Sequence, residues 1–188
     1  MTALAPVVSR DEAIGKFSRR AWWQRLARPP RESHLEIVYL PRYRIALKRA
    51  AATSTEQQSH TAAFVGAFEA EVDILDLAGV GCAEHEPAEC FSPAISAEQA
   101  LAAARLRLQR AALASVRPQQ RLVMLEPPEI ELVHYPYWAY YFRRRAGMLD
   151  AALLDAITAA RAGPQLKRAL LAALASSSPG RASQNSRG

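Results

Sequence analysis

Apolar and polar residues first fall into a periodic pattern at Ser9. Ser9-Arg10-Asp11-Glu12 is a capping box, in which the serine hydroxyl accepts from the N3 amide and Glu12 reaches back to the cap amide. Ile14, Phe17 and Ala21 follow at helical spacing, with Lys16, Arg19 and Arg20 off the stripe. The pattern predicts a helix over 9–27, ending before Pro29-Pro30 because the residue before a proline avoids the α region. Residues 34–48 then carry β-branched and aromatic side chains and predict a strand. Ala51 to His60 is polar and predicts an exposed hairpin loop. From Phe64 to Asp76 the chain alternates, with Phe64, Gly66, Phe68, Ala70, Val72 and Ile74 inward and Glu69, Glu71 and Asp73 outward. This predicts one half-buried antiparallel strand over 62–76.

The same order recurs. Ser96-Ala97-Glu98-Gln99 is a second capping box, followed by Leu101, Ala104, Leu108 and Ala111, and it predicts a helix over 96–115. Leu35-Glu36-Ile37-Val38-Tyr39-Leu40-Pro41-Arg42-Tyr43 matches Ile130-Glu131-Leu132-Val133-His134-Tyr135-Pro136-Tyr137-Trp138 position by position. A strand over 129–143 follows from the match. The shared proline marks a common bend, since proline cannot donate to a ladder. Residues 148–156 have the composition of a helix, yet the repeat expects a strand there ending opposite Leu75-Asp76, and we follow the repeat. Gly163-Pro164 opens a last helix over 164–176, with Leu166, Leu170 and Leu174 on its apolar stripe. The Ser/Gly/Pro-rich end, 177–188, is expected to be disordered.

The expected fold is therefore α+β, with two tandem repeats of a helix followed by antiparallel strands. A flexible start (1–8) precedes repeat 1 (9–80), a linker (81–95), repeat 2 (96–163), the last helix and the tail.

Composition adds bounds. The chain has 188 residues, half of them apolar, with 24 Lys and Arg against 18 Asp and Glu. The formal net charge is +6, with a pI near 9.7. This permits contact with nucleic acid or an anionic surface without requiring it. The opening residues lack a basic region followed by an apolar run, so no secretory signal and a cytoplasmic location are expected. No run of 18 apolar residues is present, so no membrane span is expected. Cys82 and Cys90 flank His85 at a spacing wider than zinc pairs use, and they read as reduced thiols in a linker. No metal and no cofactor are expected.

A helix opening on Glu98-Gln99-Ala100 and a strand end at Leu154-Asp155-Ala156-Ile157-Thr158-Ala159 resemble the PepSY family. The first copy offers Asp11-Glu12-Ala13 and Leu75-Asp76-Leu77-Ala78-Gly79. The resemblance implies a cystatin-like fold over most of 9–163, and a small non-catalytic module that binds or restrains another protein.

Candidate chemistry is sparse. His134 is the one histidine within an apolar strand, and its match to Tyr39 favours a structural role. Glu69, Glu71 and Asp73 read as a solvated sheet face. The densest unusual feature is aromatic: alternation places Trp138, Tyr140 and Phe142 on one face and Tyr135, Tyr137 and Tyr141 on the other. Two aromatic faces need two covers, supplied by a helix, a partner chain or a ligand. Trp22 and Trp23 are adjacent in a helix, so they cannot both enter one core. The candidate interaction surface is thus Trp22, Trp23, Tyr135, Tyr137, Trp138, Tyr141, Arg143, Arg144 and Arg145, because Tyr, Trp and Arg dominate binding hot spots. The reading expects a non-enzymatic accessory or interaction protein with another protein as partner. A nucleic-acid binder is the alternative, and a binder of a small apolar ligand the third.

Overall fold

The computed structural model describes residues 2–18, 33–49, 60–83, 91–114, 121–143 and 149–176. These form an α+β protein with a seven-stranded sheet and three helices. In chain order the elements are β1 (Thr2–Ala3), α1 (Arg10–Ser18), β2 (Ser33–Arg49), β3 (Thr61–Gly66), β4 (Val72–Asp76), α2 (Ala97–Ala114), β5 (Leu122–Met124), β6 (Ile130–Arg143), β7 (Leu149–Asp155) and α3 (Pro164–Ser176). The main path of the sheet runs β1-β6-β2-β3-β4, with β7 also on β6 and β5 also on β2.

The two proline-bearing strands pair with each other. β2 and β6 run antiparallel from Ser33↔Phe142 to Ile45↔Ile130, and Leu40 lies opposite Tyr135. Those two residues also occupy the same place in the sequence match. The prolines sit one step to either side of this centre, in the pairs Pro41↔His134 and Tyr39↔Pro136. β3 then pairs with the outer side of β2 at Arg42↔Gly66, and β7 with the outer side of β6 at Tyr137↔Asp155.

Residues 62–76 are two strands and not one. The chain turns after Gly66, and β4 returns along β3 at Val65↔Val72 to Thr61↔Asp76. The reversal also changes faces, since Phe64 and Phe68 pack in one cluster and Val72 and Ile74 in the other, and β3 is buried on both faces. Ala62 and Phe64 join one core cluster, while Ala63 and Val65 join another. Residues 149–155 are extended because they complete the ladder of β6, and tertiary pairing outweighs local propensity there. β7 accordingly takes the place on β6 that β3, and not β4, takes on β2.

Two turns close these strands in the same way. Ala70 N–H donates to Gly66 O at 3.0 Å, and Ala159 N–H to Asp155 O at 3.0 Å. Ala67 N–H donates to Pro41 O and Ala156 N–H to Pro136 O, each at 3.2 Å. Ala70 and Ala159 both adopt the left-handed region, with φ of 55° and 59°. A Cβ is strained there, by about 1 kcal/mol. Ala70→Gly and Ala159→Gly are each expected to raise stability by about 0.5 kcal/mol, the strain relief less the added freedom of the unfolded chain. Thermal melts of the two single variants check this.

The helices dock across the sequence. The second capping box forms in full, with Gln99 N–H donating to Ser96 Oγ at 3.2 Å and Ser96 N–H to Gln99 Oε1 at 2.9 Å, and the first forms its serine bond, Glu12 N–H donating to Ser9 Oγ at 3.2 Å. Val7 and Val8 donate their N–H groups to Ala156 O, at the turn after β7. Ala94 and Ile95 donate theirs to Ala67 O, at the turn after β3. Trp138 Nε1 donates to Val8 O at 2.8 Å, and Tyr43 OH to Ile95 O at 2.8 Å. Thus α1 covers Trp138 and Leu154 through Val8, Ala13 and Phe17. In the same manner α2 covers Tyr43, Ile45, Ala63 and Val65 through Ala100, Ala104 and Leu108. α1 and α2 thus each pack on strands of the other sequence half, while α3 packs on β7 of its own.

By strand alternation α1 and α2 share one face of the sheet. On the opposite face lies the largest cluster, with Leu40, Phe64, Val133, Tyr135, Tyr137 and Leu153 beneath Leu4, Phe91 and Leu170 of α3. The rest of the expected first helix (19–27), the polar stretch 51–59 and the tail 177–188 lie outside the described residues. No described helix is long and apolar enough to cross a membrane.

Candidate functional site

Alternation along β2 sends Val38, Leu40 and Arg42 to the α3 face, so a guanidinium enters the core. Arg42 is 4% exposed. Its Nη1 donates to Tyr137 OH at 3.0 Å, and its Nη2 donates to Phe64 O at 3.1 Å and Asp73 Oδ2 at 2.6 Å. The guanidinium carbon lies 5.0 Å from the centre of the Tyr135 ring. One side chain therefore joins β2 to β3, β4 and β6. Beside it, Tyr135 OH donates to both Asp155 oxygens, at 2.9 and 3.1 Å. Asp155 Oδ1 also accepts the N–H groups of Ile157 and Thr158, which fixes the turn after β7.

Burial opposes the charge of Arg42, but Tyr137 and Asp73 outweigh it and hold the pKa above its ordinary value. Burial pushes Tyr137 up to about 12, against the pull of Arg42. Burial, then the charge of Asp155, raises Tyr135 as well. The sign follows: folding favours the neutral phenols, so this stability is whole below pH 10 and is lost as pH rises from 10 toward 12. Each such tyrosine is expected to contribute a loss of up to about 1.4 kcal/mol per pH unit in that window. Denaturant midpoints followed together with tyrosinate absorbance check this: both phenols should ionise only as the protein unfolds.

A cleft of about 310 Å³ opens over this network. The turns after β3 and β7 form its two sides, with Phe68, Glu71, Leu75, Thr158, Arg161 and Leu166 among its walls. Its floor is occupied by internal bonding: Arg42 is tied to three partners, and Asp155 to Tyr135 and its own turn. Arg161, in the cleft wall, donates to Lys16 O of α1 at 3.1 Å. Chemically the network is a clamp on the sheet.

The residues singled out in the sequence fall into three groups. Tyr135 and Tyr137 are 0% and 3% exposed. They belong to the core, which corrects their placement on an interaction surface. Trp138 lies beneath α1, where Phe17 stacks on Tyr140 at 5.2 Å, and Tyr141 packs against the opposite cluster. Both aromatic faces of β6 are therefore covered by the chain itself. Arg143 ends β6, paired with Leu149. Trp22, Trp23, Arg144 and Arg145 lie outside the described residues, as do His85 and Cys90. Cys82 is a free, exposed thiol. His134 is buried in β6. Glu69 and Glu71 belong to the turn, and Asp73 is the counter-ion of Arg42 and not one of a free acidic row. Among the described residues no group of three or more His, Cys, Asp or Glu could hold a metal ion.

Two features escaped the sequence reading. Arg42 was legible as an arginine in the inward register of a strand, and Tyr137 holds the equivalent place in the matching segment. The second is on α2, where Leu106 and Leu113 are 48% and 89% exposed. They lie off the stripe of Ala100, Ala104 and Leu108 that packs on the sheet. Comparisons with protein-family models, with curated proteins and with solved structures find no match for this chain.

Proposed function

We propose that this chain is a non-enzymatic interaction module, an accessory subunit that docks on another protein through its second half. The observation that carries this reading is the outward face of α2, with Leu106 and Leu113 in solvent. Single exposed apolar residues are ordinary on a protein surface. Two long leucines two turns apart on one helix face form a stripe that a partner can cover. The basic residues Arg105, Arg107 and Arg110 also favour a second reading, binding to nucleic acid. The leucines weigh against it, since they add nothing to phosphate contact.

The proposed architecture is two diverged copies of one helix-and-strands unit in a cystatin-like, PepSY-like arrangement. Support comes from the paired centre Leu40↔Tyr135, from the matched turns and from the equivalent bonds of Tyr43 and Trp138. In this reading the aromatics of β6 serve the join between the copies, and binding falls to α2.

The test is chromatography of the chain from its native source at endogenous level, across a salt series. The reading expects one stoichiometric protein partner that persists with salt. A chain that elutes alone, and binds single-stranded oligonucleotides with a steep loss of affinity as salt rises, would establish the nucleic-acid reading instead.

A further inference from the structure

The cleft over Arg42 holds more bonding capacity than the clamp uses. Its volume of about 310 Å³ is that of a small-molecule site. Two donors at its floor are unspent. Arg42 Nε is buried without a partner. Tyr137 OH accepts from Arg42 Nη1, and no acceptor among the described residues takes its own hydrogen. Buried donors of this kind call for an acceptor, because leaving them unmet is costly. On the side formed by the turn after β3, the spare groups are acceptors instead. Asp73 Oδ2 is taken by Arg42, while its Oδ1 makes no bond among the described residues. Glu69 and Glu71 are exposed on the same side. The remaining walls are apolar, with Phe68, Leu75 and Leu166 partly buried.

We propose that this cleft binds the amino-terminal residue of a peptide whose first side chain is apolar. Such a residue carries an ammonium group, an apolar side chain and a carbonyl on one carbon, and the cleft offers a counterpart to each. The ammonium meets Asp73 Oδ1, Glu69 and Glu71. The side chain lies against Phe68, Leu75 and Leu166, and the carbonyl accepts from the floor donors. A neutral acceptor suits that floor. The charge of Arg42 is already matched by Asp73 at 2.6 Å, so a carboxylate would enter buried and uncompensated. Arg161, on the opposite side, is exposed and donates to Lys16 O. A plain amine would leave the floor donors unmet, and an inorganic cation would leave the apolar walls bare. A free short peptide and the exposed end of a protein share this chemistry. The inference does not rest on docking through α2.

The experiment titrates the full chain with Leu-Ala amide and N-acetyl-Leu-Ala amide by calorimetry. The free amine is expected to bind about tenfold more tightly than the acetylated peptide. Gly-Ala amide, without the side chain, and isoamylamine, without the carbonyl, should each bind about tenfold more weakly than Leu-Ala amide. Glu69→Gln with Glu71→Gln removes most of the advantage of the free amine. Both positions are exposed, so circular dichroism and melting of this variant should match the parent. A hexapeptide amide with the same first two residues separates the sources: unchanged affinity marks a free short peptide, and rising affinity the end of a protein. Equal binding of the free and acetylated peptides overturns the proposal, as does no binding of Leu-Ala amide at millimolar concentration. Tighter binding of N-acetyl-leucine assigns the cleft to carboxylates through Arg161 and overturns it too. So does unchanged binding in the glutamine variant, which places the peptide elsewhere on the chain. A chain that elutes alone in native chromatography removes docking through α2 and leaves these titrations to decide the cleft.

Discussion

Asp73→Ala is expected to lower the unfolding free energy by about 3 kcal/mol, while Arg42→Met lowers it by only about 1 kcal/mol. The two substitutions break the same ion pair, so the inequality comes entirely from what is left behind. The side chain of Arg42 is 4% exposed and that of Asp73 is 46% exposed. Without Asp73, the guanidinium remains inside the core with Tyr137 OH and Phe64 O as its remaining partners, and a buried charge without a counter-ion is costly. Without Arg42, the orphaned carboxylate turns to water. Methionine fills the volume beside Tyr135 and Phe64, and the loss is confined to two hydrogen bonds. For a chain of this size the Asp73 variant should melt roughly 6–12 °C below the parent. Denaturant midpoints at constant m measure both variants. Equal losses, or a larger loss for Arg42→Met, would show that Arg42 is not the buried partner.

The second large effect is expected from Ala13→Asp, and its location matters more than its size. Ala13 is fully buried in the first turn of α1. An acid in a first turn ordinarily gains from the helix dipole, so any loss reports burial. It should amount to about 3 kcal/mol or more, because the carboxylate has no partner there. α1 caps Leu154 and Trp138, so the damage should appear about 140 residues away in sequence. Hydrogen exchange is expected to quicken in β7 and the adjoining part of β6, while β3 and β4 stay protected. Ala100→Asp should do the reverse, because Ala100 packs with Tyr43, Ala63 and Val65. Loss of protection next to each helix in its own sequence half would contradict the cross-docking.

What the sequence revealed, and what it did not, has a physical pattern. The capping boxes at Ser9 and Ser96 were legible because a cap is a local bond within four residues. The strands around Pro41 and Pro136 were legible because β-branched and aromatic residues mark them and the two segments match position by position. β1 and β5, at two and three residues, were too short to leave a period. The β3–β4 hairpin was read as one strand because alternation does not show where the chain reverses, and the reversal sends Val72 and Ile74 to the face opposite Phe64. The exchange of helices could not be read, since Ala13 and Ala100 are alike and either would fit either sheet half. The aromatics of β6 were read correctly as needing two covers. Which cover each received depended on where α1 and α3 docked, and that is tertiary information. Arg42 was in plain view, but an arginine beside a proline looks like a surface residue until β4 brings Asp73 to it. The leucines of α2 went unread because the stripe of Leu101, Ala104, Leu108 and Ala111 already accounted for the helix, and Leu106 and Leu113 fall outside it.

The two sequence halves form one intertwined body. Cleavage at a protease site introduced between Ala83 and Phe91 divides the chain into its two sequence halves. The prediction is that the fragments stay together in native chromatography and separate only on unfolding, in one cooperative transition, because β2 pairs with β6 and α1 and α2 each cap the other half. Fragments that separate as two folded monomers, each with its own transition, would contradict it.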